Sequence, residues 1–144
     1  MSVLVDTSVW SLALRRKTAN LSRAERALVD EWKALVLEGR VRLPGIVRQE
    51  VLSGLRHAEQ FERLRERLAA FDDVGAETQD YEGAARFFNA CRAKGVTATA
   101  VDMLLCALAV RHELSILTAD RDFVAYGRVL PLVLHRPVER SAPR

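Results

Sequence analysis

The sequence predicts an α/β fold, a three-layer α/β/α sandwich with a mainly parallel central sheet. Short apolar runs at residues 2–5, 41–43 and 115–118 alternate with longer segments of helical periodicity. Parallel neighbouring strands need crossover connections of the length those segments supply. No internal repeat, low-complexity run or Pro/Gly-rich linker interrupts the 144 residues, which are enough for one core. A single domain over residues 1–140 is therefore expected, with Ser141–Arg144 a frayed tail.

Each element follows from local chemistry. Ser2–Val5 is a strand ending at Asp6, and Thr7–Arg16 carries Val9, Trp10, Leu12 and Leu14 in a helical pattern. Ser22 and Glu25 form a capping box for a helix running to Gly39, where glycine supplies the left-handed stop. Val41–Leu43 is a strand closed by Pro44-Gly45, followed by a helix bearing Ile46, Val47, Val51, Leu52 and Leu55. His57–Phe71 and Glu77–Lys94 read as amphipathic helices, the second ended by Gly95, with a short strand at Asp73–Gly75 between them. Val101–Leu114 is the most apolar helix, Ser115–Thr118 a strand, and Pro131–His135 a last strand.

Composition narrows the class. With 49% hydrophobic and 28% charged residues the chain is globular rather than disordered. The 22 basic residues against 19 acidic give a net charge of +3, too little for a protein that coats nucleic acid by charge alone. The apolar start is cut by Asp6, so no secretory signal is read, and no apolar stretch approaches the ~20 residues of a membrane span; a soluble, cytoplasmic protein with no membrane partner is expected. Cys91 and Cys106 lack a CxxC spacing and sit in apolar helical patterns, as reduced structural thiols do.

The chemistry-bearing residues are acidic. In open α/β sheets functional side chains gather beyond the carboxyl ends of the strands. Asp6 directly follows one strand, and Asp120 lies shortly after Leu117 on another, so both are expected at one sheet edge. Glu50 is flanked by Val47 and Val51 and is expected near the inward side of its helix, while Asp102 opens the apolar helix next to the core. Each has a structural reading as well: Asp6 and Asp120 as helix N-caps, Thr99 and Asp102 as a capping box, Glu50 as a solvated residue. Converging carboxylates raise one another's pKa unless a cation is present, and an oxygen-only set without His or Cys suits Mg²⁺ or Mn²⁺ over Zn²⁺. His57, His112 and His135 show no ligand spacing.

The blocks VDTSVW, RQEVLSG, VDMLLCALAV and LTADRDF, in this order, resemble those of the PIN-domain ribonucleases, and within them the VapC-type toxins of toxin–antitoxin pairs. The resemblance spans nearly the whole chain. It implies a metal-dependent ribonuclease with Asp6, Glu50, Asp102 and Asp120 as an acidic quartet and Asp122 as a further member. By it, Asp6 and Asp102 lead the metal ligands, Thr7 and Thr118 are polar residues behind them, and the metal is Mg²⁺ or Mn²⁺. An RNA substrate, a 5′-phosphate product, a homodimer and a VapB-like antitoxin are implied with it.

Setting the five acids aside leaves 22 basic against 14 acidic residues, net +8, around an acidic pocket. Arg15, Arg16, Lys17, Arg48 and Arg121 flank the acidic segments and are candidate RNA contacts. Four other readings compete: a non-toxin PIN ribonuclease in RNA processing; a non-catalytic PIN-like binding module; an aspartyl-phosphate phosphatase with Asp6 as nucleophile, against which Ser8 stands where a second Asp is required; and a serine hydrolase, for which no G-x-S-x-G is present.

Overall fold

The computed structural model describes residues 1–139. The tail expected to fray, 141–144, lies outside them. Four strands, β1 (Val3–Val5), β2 (Val41–Pro44), β3 (Asp73–Val74) and β4 (Ser115–Leu117), form one sheet in the order β3-β2-β1-β4. Every pairing is parallel. The helices are α1 (Thr7–Leu14), α2 (Arg23–Leu37), α3 (Gly45–Leu52), α4 (Ala58–Leu68), α5 (Thr78–Ala93), α6 (Ala100–Arg111) and α7 (Asp122–Gly127).

The strands are short but wholly apolar where they matter. Successive residues point to opposite faces, yet Val3, Leu4 and Val5 are all fully buried, so both faces of β1 are covered. The chain walks from β1 to β2 to β3 in one direction and then returns past β1 to β4. Because parallel crossovers are right-handed, this reversal puts α5 and α6 on the face opposite α1 to α4. It also creates a topological switch point between β1 and β4, where such sheets open a crevice at their carboxyl ends.

Local signals explain the helix limits. Ser22 Oγ accepts from the Glu25 N–H at 3.1 Å, and Glu25 Oε1 accepts from the Ser22 N–H at 2.8 Å, which completes the expected capping box. Gly39 and Gly95 take φ of 67° and 74°, the left-handed geometry for which glycine was expected at both stops. Trp10 anchors α1: its ring is fully buried, donates Nε1–H to the Val5 carbonyl at 3.1 Å, and meets Trp32 and Phe71 edge-on at 5.4 and 5.0 Å. Cys91 and Cys106 are buried free thiols, and burial pushes both pKa values up.

Several limits differ from expectation. The segment expected as one helix to Leu55 ends at Leu52, since Ser53 is extended and Gly54 has φ 78°. The helix from 57 is shorter, Ala58–Leu68, and frees Phe71 to pack on Trp10. α6 stops at Arg111 because Glu113 turns into the left-handed region at φ 55°. The last strand reduces to a single parallel bridge, Leu134 to Ile116, with Ile116 N–H to Val133 O at 2.9 Å and His135 N–H to Ile116 O at 2.8 Å. Just before the bridge, the Leu132 N–H turns back to Leu130 O at 2.8 Å.

Candidate active site

Register builds the site. Val5 pairs with Leu117, so the next residues, Asp6 and Thr118, leave the sheet side by side, and Asp6 N–H still reaches Leu117 O at 3.1 Å. Asp6 caps α1, its Oδ1 accepting from the Ser8 N–H at 3.1 Å. Both its oxygens also receive hydroxyls: Ser8 Oγ donates to Oδ1 at 2.5 Å and Thr118 Oγ1 to Oδ2 at 2.7 Å. Those hydroxyls are held in turn by backbone, Ala119 N–H to Ser8 Oγ and Asp120 N–H to Thr118 Oγ1, each 2.9 Å. Asp6 is only 5% exposed, and burial raises its pKa to about 6 despite these bonds, with the Asp120 charge adding to the rise.

Asp102 sits in the first turn of α6, where Thr99 Oγ1 accepts its N–H at 3.1 Å, the forward half of the expected capping box. Its carboxylate receives the Tyr126 hydroxyl at Oδ2, 2.7 Å. Burial raises its pKa, opposed by the bonds from Tyr126 and Thr99, with Asp120 and Asp122 pushing it further up. Asp120 Oδ1 accepts from the Asp122 N–H at 2.9 Å and thereby primes α7, whose first residue is Asp122. Oxygens of Asp102, Asp120 and Asp122 lie within 4.8 Å of one another, a carboxylate-only donor set of the kind a hard divalent cation takes. Each of the three stands at or just before the first turn of a helix, where the positive end of the helix dipole offsets part of their repulsion.

The expected acids are therefore arranged unevenly. Asp122 belongs to the close trio, whereas Asp6 stands beside it, joined through Thr118. Glu50 is exposed rather than turned inward, because Val47 and Val51 take the buried face of α3. It is nonetheless held, accepting from the Thr7 hydroxyl at Oε1, 2.7 Å, and Thr7 directly follows Asp6. Arg48 departs from its expected place at a rim: it pairs with Asp73 at 2.7 Å and donates to the carbonyls of Leu68 and Phe71, so it ties α3 to the end of α4 and to β3. Arg15, Arg16, Lys17 and Arg121 are exposed, with Arg16 3.4 Å from Glu25.

Two site residues escaped sequence reasoning. Ser8 enters the sequence reading only as a residue that counts against a phosphatase and lacks a G-x-S-x-G setting, although its spacing two residues after a strand-end Asp matches an N-cap partner. Tyr126 carried no local signal, since its bond to Asp102 spans two helices.

Comparison with known proteins gives the chain's relatives and its fold. Two curated relatives, the VapC ribonuclease Mb1587 of Mycobacterium bovis and the ribonuclease VapC11 of Mycobacterium tuberculosis, are each 29% identical over 133 residues, spanning 90% of this chain and 95% of theirs. The fold matches FitAcB from Neisseria gonorrhoeae with a TM-score of 0.71 at 24% identity, covering 94% of this chain and 97% of that one. It matches VapBC2 from Rickettsia felis, solved with a promoter DNA fragment, with a TM-score of 0.73 at 16% identity, covering 94% and 98%. The model of the PIN domain family matches residues 3–129, nearly the whole described chain, and the protein belongs to that family.

Proposed function

We propose that this protein is a metal-dependent endoribonuclease, the toxin of a toxin–antitoxin pair, and that it forms one domain over residues 1–140. The observation that carries the reading is the Asp102, Asp120 and Asp122 trio, its oxygens within 4.8 Å, at the switch point of a parallel sheet. The ribonuclease names of the curated relatives, and the toxin–antitoxin complexes among the structural neighbours, supply the substrate class and the protein partner.

The donor set is all carboxylate oxygen, which favours Mg²⁺ or Mn²⁺. When bound, such an ion lowers the pKa of a coordinated water and neutralises charge on the phosphoryl oxygens during phosphodiester hydrolysis. The chain's own residues do the rest. Asp102, Asp120 and Asp122 would hold the cation, with Asp6 beside them through Thr118. Thr118 and Ser8 keep the Asp6 carboxylate fixed, and Thr7 holds Glu50 at the solvent side, where it accepts the proton of the attacking water. Arg15, Arg16, Lys17 and Arg121, exposed around the acidic segments, meet the RNA backbone. A second copy of the chain and a VapB-like antitoxin are the protein partners of this reading. Among the described residues no helix is long and apolar enough to cross a membrane, and the cytoplasm, where RNA and antitoxin are made, is the proposed site of action.

The test is cleavage of a single-stranded RNA by purified protein with Mg²⁺, Mn²⁺ or excess chelator. Cutting that needs a divalent ion, and that disappears in Asp102→Asn with the fold intact, is the expected outcome. Equal cutting by both proteins, or cutting in chelator, overturns it. Growth arrest on expression of the chain alone, relieved by an antitoxin encoded beside it, tests the toxin assignment.

A further inference from the structure

We propose that Tyr126 is a positioning residue that holds the Asp102 carboxylate in place for the divalent cation. The inference deepens the metal-dependent reading above and rests on it. Asp102 comes from α6, whereas Asp120 comes from the turn after β4 and Asp122 from the start of α7, so nothing in the local backbone aligns the first with the other two. All three repel one another, and the charges of Asp120 and Asp122 act on Asp102. A carboxylate on a freely turning Cα–Cβ bond would swing toward solvent under that repulsion, and the cation would have to pay for its return.

The Tyr126 hydroxyl opposes this swing by donating to Asp102 Oδ2 at 2.7 Å. The tyrosine itself cannot follow the carboxylate outward. It is 1% exposed, and its ring packs edge-on against the fully buried Phe123, centroids 5.2 Å apart. Fixing Oδ2 of Asp102 favours a single-oxygen contact between this carboxylate and the ion, the mode an octahedral ion takes from carboxylates. Tyr126 also lies one helical turn after Asp122 on α7. One short helix thus carries one carboxylate of the trio and fixes the carboxylate facing it, so that the spacing of the two is set by a single rigid element. Such outer hydrogen bonds orient metal ligands, and their loss costs about 10–100-fold in metal affinity.

Tyr126→Phe removes only the hydroxyl oxygen and keeps the packed ring. Binding of Mn²⁺ to the metal-free protein is read by calorimetry, and RNA cleavage is read across a Mg²⁺ series. The expected result is a Mn²⁺ affinity weaker by about 10-fold or more, a matching rise in the Mg²⁺ concentration giving half-maximal cleavage, and a rate at saturating Mg²⁺ within about threefold of the parent. In an Asp102→Asn background the same change has no further effect on Mn²⁺ affinity, because its target is already gone; a general loosening of the fold would weaken both backgrounds alike. Unchanged Mn²⁺ affinity in Tyr126→Phe, with tight binding by the parent, overturns the positioning role and leaves the nuclease reading standing. Failure of the parent itself to bind Mn²⁺ overturns both. Should Tyr126→Phe not fold, the unaltered protein decides by nuclear magnetic resonance: a slowly exchanging Tyr126 hydroxyl proton that persists with and without Mg²⁺ supports the role, and its loss on adding Mg²⁺ overturns it.

Discussion

Thr118 fastens Asp6 to the opposite strand: its hydroxyl donates to Asp6 Oδ2 at 2.7 Å while accepting the Asp120 N–H at 2.9 Å. One side chain thereby aligns a buried carboxylate with the backbone that carries another. Thr118→Val keeps the shape but leaves an Asp6 oxygen and the Asp120 N–H unpaired. It should cost about 1–3 kcal/mol of stability and lower RNA cleavage, while Thr118→Ser restores both; urea unfolding and cleavage assays on the pair check this.

Burial lifts the Asp6 carboxyl from 3.8 to about 6. The folded carboxyl thus binds its proton more tightly than the unfolded one, so the metal-free protein loses stability as pH rises through the window from about 4 to about 6. Asp6→Asn removes that loss. In chelator the stability of Asp6→Asn relative to the parent should improve by roughly 2–3 kcal/mol between about pH 4 and about pH 8, on top of a pH-independent cost for the hydroxyl bonds that the amide cannot accept. Melting curves across that range decide it, and a divalent cation should shrink the gain by stabilising only the parent.

Asp80 shows the opposite sign. It is 1% exposed on α5, yet Arg111 at the end of α6 grips both its oxygens, Nε at 2.5 Å and Nη2 at 2.7 Å, and these bonds hold its carboxyl below the usual range. Its contribution is present above the unfolded pKa near 4 and is lost as pH falls through the lowered folded value. Asp80→Asn should destabilise by about 2–4 kcal/mol at pH 7, and the deficit should narrow under acid conditions; denaturant titrations at pH 7 and pH 3 measure it.

The exposed cations and Arg48 should part company. Replacing Arg15, Lys17 and Arg121 together with Gln should weaken RNA binding most at low salt, each lost phosphate contact lowering the slope of log affinity against log salt by about 0.7. Arg48→Gln should instead lower the melting temperature, since its guanidinium joins Asp73 to the carbonyls of Leu68 and Phe71, and should leave the salt slope unchanged. Filter binding across a salt series, with thermal melts, separates the two.

Much of what depends on neighbours in the chain was legible in the residues themselves. The alternation of apolar runs and amphipathic segments set the parallel α/β class, Ser22 with Glu25 set the start of α2, and Gly39 and Gly95 set two stops, because each rests on propensity or bonds within one turn. Asp6 and Asp120 could be placed at one sheet edge because strand ends are local features and the sheet is parallel. What required the folded chain was every relation between elements. Register put Thr118 beside Asp6, and the α6–α7 crossing gave Asp102 a tyrosine partner. Burial of Val47 and Val51 turned Glu50 outward to Thr7, and the approach of α3 to β3 withdrew Arg48 from the surface role its flanking position suggested. Periodicity says which face of a segment is apolar, whereas the partner met by a polar group on that segment is set by how distant segments cross.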